Sequence, residues 1–298
     1  MLPIPGRVPQ GVDRQQGCWA LGLRLGVQGH RGARGLFPEN TLEGFLSAAA
    51  LGVRAFEVDV LLTADGVLVV HHDAALNPDI ARDENGAWLD GKGPLIRDMR
   101  FADLQRYDVG RLKPGSKAAA LSPDQMPHDG ARIPTLEAVL KALPYASFTV
   151  EVKAYPCHPT PTAPAEVLAD AAMAVIDAAG ARDRCVVESF DWRAPRHLRR
   201  TRPDVRLAWL TGPDTVSALW WDVEPLPSVP ASVAREGGPI WAPYHAALTE
   251  SDIRAAHALG LLVLPWTVNQ PEDMRRLIGW GADGLITDRP DRALTIAG

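Results

Sequence analysis

The sequence predicts an α/β protein folded as a TIM (β/α)8 barrel, with a small insertion after the second strand. Three observations predict it. Strand-like and helix-like segments alternate about eight times along the chain, the pattern of a parallel sheet closed on itself. The length, 298 residues, suits one large barrel as well as two average domains. Acids and imidazoles recur at the C-terminal ends of the predicted strands, the end at which such barrels carry their chemistry. An open, doubly wound sheet is the alternative arrangement.

The elements follow in order. Residues 1–26 are an N-terminal extension, and residues 27–298 form the barrel. "LRLGVQGH" reads as the first strand, ending at His30. "TLEGFLSAAALG" reads as a helix with Thr41 as its N-cap and Gly52 as its stop. "RAFEVDVLL" is rich in β-branched and apolar residues, and "ADG" turns it back into "VLVVHHD" as a short hairpin. From residue 74 to about 130 the alternation breaks, with "NPDIARDENG", "GKGP" and "LKPGSK". One helix-like piece, "MRFADLQRYD", lies inside this insertion, which holds too few apolar residues for a core of its own. The rhythm then returns. "PTLEAVLKAL" is a helix capped by Thr135, "YASFTVEVK" a strand, "APAEVLADAAMAVIDAAG" a long amphipathic helix and "RCVVESF" a strand. "WRAPRHLRRTRP" is a helix and "VRLAWLT" a strand, while the Pro-rich, Trp-containing residues 213–238 show no clear period. "PIWAPY", "TESDIRAAHALG", "LLVLPWTVN", "PEDMRRLIGWG" and "ADGLITDRP" complete the alternation.

Composition excludes several classes. A hydrophobic share of 46% and a charged share of 22% are ordinary for a globular protein. A net charge of −5 argues against nucleic acid, whose phosphates favour a basic face, but permits a small phosphate-bearing substrate. Cys18, Cys157 and Cys185 are far apart, odd in number and without a CxxC, so neither a disulfide framework nor a zinc site is indicated. No apolar run approaches the ~20 residues of a membrane-spanning helix. Arg7, Arg14 and Arg24 lie in an extension whose apolar stretches are broken by Pro and Gly, unlike a secretory leader. A cytoplasmic location is expected, and a periplasmic one would follow if a leader preceded this sequence. Nothing in the pattern selects or excludes a homodimer.

Glu57 and Asp59 are two apart on a strand and therefore share a face. If that face is the barrel interior, either one carboxyl is protonated or a cation sits between them. Glu151, in "VEVK", adds a third carboxylate in the same relative position one strand later. Three oxygen donors suit a hard divalent ion, Mg²⁺ or Ca²⁺, better than zinc. The plainer alternative pairs these acids with Arg54, Lys153 or Arg31 as structural salt bridges; the recurrence at Glu151 favours the metal. His30 and a histidine of "HHD" lie at the same end of the sheet and form a candidate acid/base pair, because imidazole titrates near neutral pH. Neighbours on a strand point to opposite faces, so spacing leaves His71 and His72 undecided. Arg31 and Lys153 bring positive charge for a phosphate, and Gly32 and Gly35 let the loop backbone approach an anion. Trp266 is either an apolar pocket wall or plain core packing. Glu188 and Asp288 also end predicted strands. His128, His158, His197, His245 and His257 read as structural, in loops or helices without partner clusters.

"HRGARGLFPENTLEGF", "FEVDVLLTADGVLVVHHD", "IPTLEAVL", "VEVK" and "WTVNQPEDMRRLIGWGADGLITDRP" together resemble the glycerophosphodiester phosphodiesterase family, over about residues 27–292. The resemblance implies a TIM barrel with its insertion at residues 74–130. It matches His30 and His72 to the general acid/base pair and thereby selects His72 from "HHD". It matches Glu57, Asp59 and Glu151 to the metal ligands, Arg31 and Lys153 to residues near the phosphate, and Trp266 to an aromatic pocket wall. Glu39, in "PENT", is matched to a residue supporting the substrate site. One departure stands out. Many members continue "HD" with a Leu and then an Arg-Thr pair, whereas this chain reads "HHDAALNPDIARDENG", replacing that element or displacing it to Arg82. The departure bears on substrate preference.

The expected reaction is metal-dependent hydrolysis of a glycerophosphodiester to sn-glycerol 3-phosphate and an alcohol, with a small-molecule substrate and neither a nucleic-acid partner nor stable membrane insertion. The attacking group, glycerol 2-hydroxyl or water, stays open at this point. A lysophospholipase D-type diesterase is the alternative enzyme, disfavoured by the polar insertion. A non-catalytic phosphate-binding barrel is the alternative of another class, disfavoured because every matched site residue is present.

Overall fold

Every second residue of the early strands is large and apolar, and the residues between them are polar. This alternation gives one sheet two different faces. The computed structural model describes residues 25–297 apart from His158. The extension up to Arg24, with Arg7, Arg14 and Cys18, and the loop residue His158 lie outside the described residues. The strands are β1 (Gly26–His30), β2 (Ala55–Leu62), β3 (Leu68–Val70), β4 (Ser147–Val152), β5 (Cys185–Ser189), β6 (Leu207–Thr211), β7 (Ile240–Pro243), β8 (Leu262–Val263) and β9 (Gly284–Thr287). All but β3 run parallel, in the order β8-β7-β6-β5-β4-β2-β1-β9, and β3 folds back on β2 as an antiparallel hairpin partner.

Closure between β8 and β9 is made by backbone hydrogen bonds. The segment "LLVLPWTVN", expected as a full strand, forms a regular ladder with β7 over two residues only, and Pro265 has no N–H to offer on the β9 side. The chain beyond still bonds both neighbours. Leu264 and Trp266 donate to the carbonyls of Trp241 and Pro243, at 2.9 and 3.0 Å. On the other side, Asp283 donates to Val263 at 2.9 Å and Ile286 to Pro265 at 3.0 Å. The result is a nearly closed barrel of eight parallel strands, as the sequence predicts.

The helices cover the outside: α1 (Leu42–Ala50), α2 (Phe101–Leu104), α3 (Lys117–Leu121), α4 (Leu136–Ala142), α5 (Ala165–Ala178), α6 (Arg193–Thr201), α7 (Ala218–Trp221), α8 (Val229–Glu236), α9 (Glu250–Ala258), α10 (Pro271–Gly279) and α11 (Pro290–Ala297). Thr41 and Thr135 cap α1 and α4 by accepting the N–H of Gly44 and Ala138, as their positions predict. Phe56, Val58 and Val60 of β2 pack outward with Phe148, Val150 and Val152 of β4 against Leu140, Leu168 and Ala172 of the helix layer. The intervening residues face inward. Below the site, Leu25, Val186, Ala208, Ile240, Leu264 and Ile286 fill the barrel as an apolar plug.

Two stretches differ from expectation. "MRFADLQRYD" contains only the single turn α2, because Asp108 exchanges backbone hydrogen bonds with Arg82 at 2.9 Å and draws the chain out of the helix. The insertion packs Leu76, Ala81, Ile96, Leu104 and Val109 against Leu61, Val69 and Ile133 of the flanking chain, so its apolar residues join the barrel's. Residues 213–238 hold α7 and α8. Their anchor is Trp221, stacked on Trp192 with ring centroids 3.9 Å apart, a tertiary contact with no periodic trace in the sequence. Cys157 is exposed and Cys185 buried, both unpaired.

At the end of β1 the chain turns sharply, with Arg31 at φ 52° and Gly32 at φ 94°. A Cβ on Gly29 would stand 1.9 Å from the Gly32 carbonyl oxygen. Gly29→Ala is therefore expected to cost several kcal/mol, about 3, in thermal or chemical denaturation. Gly279→Ala, in α10 with nothing within 4 Å of the added carbon, is expected to be neutral or to gain up to about 1 kcal/mol. Equal melting temperatures for Gly29→Ala and the parent would contradict the turn.

Candidate active site

The inward positions of three adjacent strands place acids in one layer. Asp59 of β2 lies opposite Glu151 of β4, and Glu151 opposite Glu188 of β5, while His30 of β1 lies opposite Glu57 of β2. All five side chains are at least nine-tenths buried. Oxygens of Glu57, Asp59 and Glu151 lie within 4.8 Å of one another. Glu57 Oε1 and Asp59 Oδ1 are buried and take no hydrogen bond.

Of the three cations named by the plainer reading, Lys153 and Arg31 are also here and Arg54 is not. Lys153 Nζ lies 2.7 Å from Glu151 Oε1 and 3.5 Å from Asp59 Oδ1. Arg31 Nε lies 3.3 Å from Asp59 Oδ2, and its NH1 donates to Glu39 Oε1 at 2.9 Å. The Arg31 N–H donates to Glu57 Oε2 at 3.1 Å, and Asn40 Nδ2 donates to Asp59 Oδ2 at 2.9 Å. Arg54 instead caps the carbonyls of Ala49 and Val53.

These two cations do not balance the acids. Burial, then the charges of Asp59 and Glu151, push the Glu57 carboxyl well above the usual carboxylate range. Burial raises Glu151 to about 7 despite Lys153, and raises Glu188 well above its ordinary value. Asp59 alone is held well below, because His72, Arg31 and Lys153 outweigh its burial. A cluster of acids with raised proton affinity and unmet oxygens is short of positive charge, and an oxygen-seeking divalent ion fits it.

Two imidazoles face the same space, each fixed at Nδ1 by an aspartate. His30 Nδ1 lies 2.5 Å from Asp288 Oδ1, and its Nε2 lies 3.7 Å from Glu57 Oε2. His72 Nδ1 lies 2.8 Å from Asp73 Oδ1, whose other oxygen accepts Asn77 Nδ2 at 2.7 Å. His71 is packed away from the cavity, its Nε2 3.4 Å from the Ala75 carbonyl. Burial lowers both exposed-edge imidazoles; His72 falls to about 4, with Arg31 and Lys153 adding to the effect. Asp288 and Asp73 are held well below the carboxylate range against burial, chiefly by the histidines they pair with.

The cavity above this layer measures about 290 Å³ and is lined by His30, Arg31, Glu57, His72, Glu151 and Lys153. Trp266 is part of its wall and of the packing at once: its ring stands 5.3 Å from both Phe190 and Tyr244, and its Nε1 donates to the Ala242 carbonyl at 3.0 Å. Glu39 does not line the cavity and instead receives Arg31, with Arg34 at 3.8 Å. Arg82 stays in the insertion, bridging Asp108 and Asp129 at 2.6 Å each. His197 and His257, expected without partners, each meet a carboxylate, Asp170 at 3.0 Å and Asp283 at 2.9 Å, away from the cavity.

Sequence reasoning missed several lining residues. Phe190 follows β5 directly and Leu210 lies in β6, so strand-end position was the available signal. Arg34 also lines the cavity and meets Asp288 Oδ1 at 2.8 Å; a third basic-loop residue in "HRGARG" hinted at it. The His30–Asp288 contact spans 258 residues and had no local signal.

The comparisons with known proteins agree with this geometry. Residues 30–292 match the model of the glycerophosphoryl diester phosphodiesterase family. The chain belongs to that family. A Silicibacter pomeroyi protein assigned by its name to the glycerophosphoryl diester phosphodiesterases has a crystal structure that is 37% identical, covers 91% of this chain and 92% of its own, and superimposes with a TM-score of 0.84. A glycerophosphodiester phosphodiesterase of Bacillus subtilis is 26% identical, over 90% of this chain and 85% of its own length. Another, from Caldanaerobacter subterraneus, is 27% identical over 91% and 96%. No helix among the described residues is long and apolar enough to cross a membrane.

The lowered His72 has a measurable consequence. An imidazole whose folded pKa lies below its unfolded value adds stability above about pH 6.5, and that contribution is lost as pH falls from about 6.5 toward about 4. In EDTA-treated protein, the His72 ring signal in an NMR titration is expected to move from its neutral position with a midpoint of about 4. A midpoint at or above 6.5 would contradict the burial described here.

Proposed function

We propose that this family member hydrolyses glycerophosphodiesters to sn-glycerol 3-phosphate and an alcohol, with His30 and His72 as the acid/base pair. The observation that carries the reading is that two Asp-braced imidazoles open onto one cavity beside the converging carboxylates of Glu57, Asp59 and Glu151. The names of the relatives point to the same substrate class.

Glu57, Asp59 and Glu151 are the residues that would hold a divalent ion, Mg²⁺ or Ca²⁺, which when bound neutralises charge on a non-bridging phosphate oxygen. Arg31 and Lys153 hold fixed charge on the same rim and orient the phosphate. Glu39 acts through Arg31, fixing its guanidinium from outside the cavity. Trp266 and Phe190 exclude water from one side.

Proton traffic runs through Nε2 of the two rings, since Nδ1 of each is committed to an aspartate. One neutral imidazole accepts the proton of the attacking group, which is water or the glycerol 2-hydroxyl; the second route gives a cyclic phosphate that water then opens to sn-glycerol 3-phosphate. The other, protonated, delivers a proton to the leaving alkoxide oxygen as the P–O bond breaks. Asp288 and Asp73 stabilise the imidazolium form of each without moving a proton themselves. The 74–130 segment belongs to the barrel unit in this reading, since its apolar cluster is completed by Leu61, Val69 and Ile133.

Coupled detection of released sn-glycerol 3-phosphate tests the reading directly. His30→Ala and His72→Ala are each expected to lower kcat by 10²–10⁴-fold. Glu57→Gln is expected to abolish metal-dependent turnover with the circular dichroism spectrum unchanged. EDTA should silence the parent, and added Mg²⁺ or Ca²⁺ should restore it. Full activity in EDTA, or near-parent activity of Glu57→Gln, would end the metal assignment.

A further inference from the structure

Glu188 is the cavity-lining carboxyl left without a task among the described residues. It ends β5 one strand from Glu151, is 1% exposed and lines the cavity. It lies outside the group of three whose oxygens converge within 4.8 Å. Its Oε2 is buried and has no hydrogen-bond partner. Lys153, the nearest cation named for this layer, is engaged by Glu151 and Asp59. Phe190, Leu210 and Ile286, the apolar lining, offer no side-chain donor. The strand register puts Glu188 level with Asp59 and Glu151, and the order β1-β2-β4-β5 puts it one strand further from His30 than Glu151 is.

An unmet oxygen in such a place is costly unless the bound ligand supplies the donor. In a glycerophosphodiester the non-bridging phosphate oxygens only accept, so the donor is a hydroxyl. The 2-hydroxyl is adjacent to the carbon that bears the phosphate and stays near the histidines and the triad. The hydroxyl farthest from phosphorus is the one that reaches one strand beyond the triad. Resting on the function proposed above, we propose that Glu188 is a specificity-determining residue, which accepts a hydrogen bond from the terminal 1-hydroxyl of the substrate's glycerol group. It selects glycerol over an otherwise identical alcohol that lacks this hydroxyl, because the deoxy substrate leaves the buried carboxyl unmet.

The test compares sn-glycerol 3-(p-nitrophenyl phosphate) with its 1-deoxy counterpart, the 1,2-propanediol diester, with the full chain and a saturating divalent ion. The 2-hydroxyl is present in both, so either route of attack stays available. Release of p-nitrophenol is read for the parent, Glu188→Leu, Glu188→Ala and the conservative Glu188→Gln. The parent is expected to prefer the glycerol substrate roughly 30-fold in kcat/KM, the scale of leaving one buried acceptor without its hydrogen bond. Leu and Ala should reduce the preference to under about 3-fold, by slowing the glycerol substrate and leaving the deoxy substrate unchanged. Gln, which keeps an accepting oxygen, should retain most of the preference. Equal losses on both substrates in every folded variant would overturn the proposal. So would a fall in divalent-ion affinity by calorimetry matching that of Glu57→Gln, which would make Glu188 a metal ligand. If the parent releases no p-nitrophenol from either diester, the hydrolytic reading itself fails, and this proposal with it.

Discussion

Like-charge repulsion among buried carboxylates is the constraint around which this barrel is arranged. Two unit charges about 4 Å apart repel by roughly 4 kcal/mol at an effective dielectric of about 20. Glu57, Asp59 and Glu151 come that close inside a closed sheet, with Glu188 on the next strand. Three devices hold the arrangement: Lys153 between two acids, Arg31 turned inward by a left-handed backbone, and raised proton affinity on the acids that remain. Gly29 and Gly32 follow from the second device, since the turn that aims Arg31 leaves no room for a side chain at Gly29. A chain built only for stability would place apolar residues at these positions, as it does at Val186, two residues below Glu188 in the plug.

The same geometry separates folding from chemistry along each strand. Phe56, Val58 and Val60 bind the helix layer, and Glu57 and Asp59, interleaved with them, point into the barrel, where Glu57 lines the cavity. Stability is carried by the outer face, so substitutions at inward positions can change chemistry with little cost to the barrel.

This interleaving is also why so much was legible in the sequence. Period-two alternation and helix caps are local, and they gave β2, β4, β5, Thr41 and Thr135 directly. The acidic layer was legible because both its members on β2 lie within three residues of each other and Glu151 repeats the pattern on β4. What was not legible depends on closure in three dimensions. Asp288 reaches His30 only because β9 pairs with β1 at the barrel seam. Trp221 finds Trp192 across a loop with no period, and the bonds that continue β8 past Pro265 come from strands distant in sequence or at its far side. Spacing could not choose between His71 and His72; the fold turns His72 toward the cavity and packs His71 behind it.

The two imidazoles stand on different mounts. His30 rises from a central strand and is braced across the seam by Asp288, so its position is as rigid as the barrel. His72 follows the short hairpin strand β3, and its aspartate is tied by Asn77 to the start of the insertion. The gap between the two rings is thus set partly by a segment that contributes little to the cavity wall. A change confined to this segment would alter the spacing of the two rings while the clustered acids and the plug beneath them stay as they are.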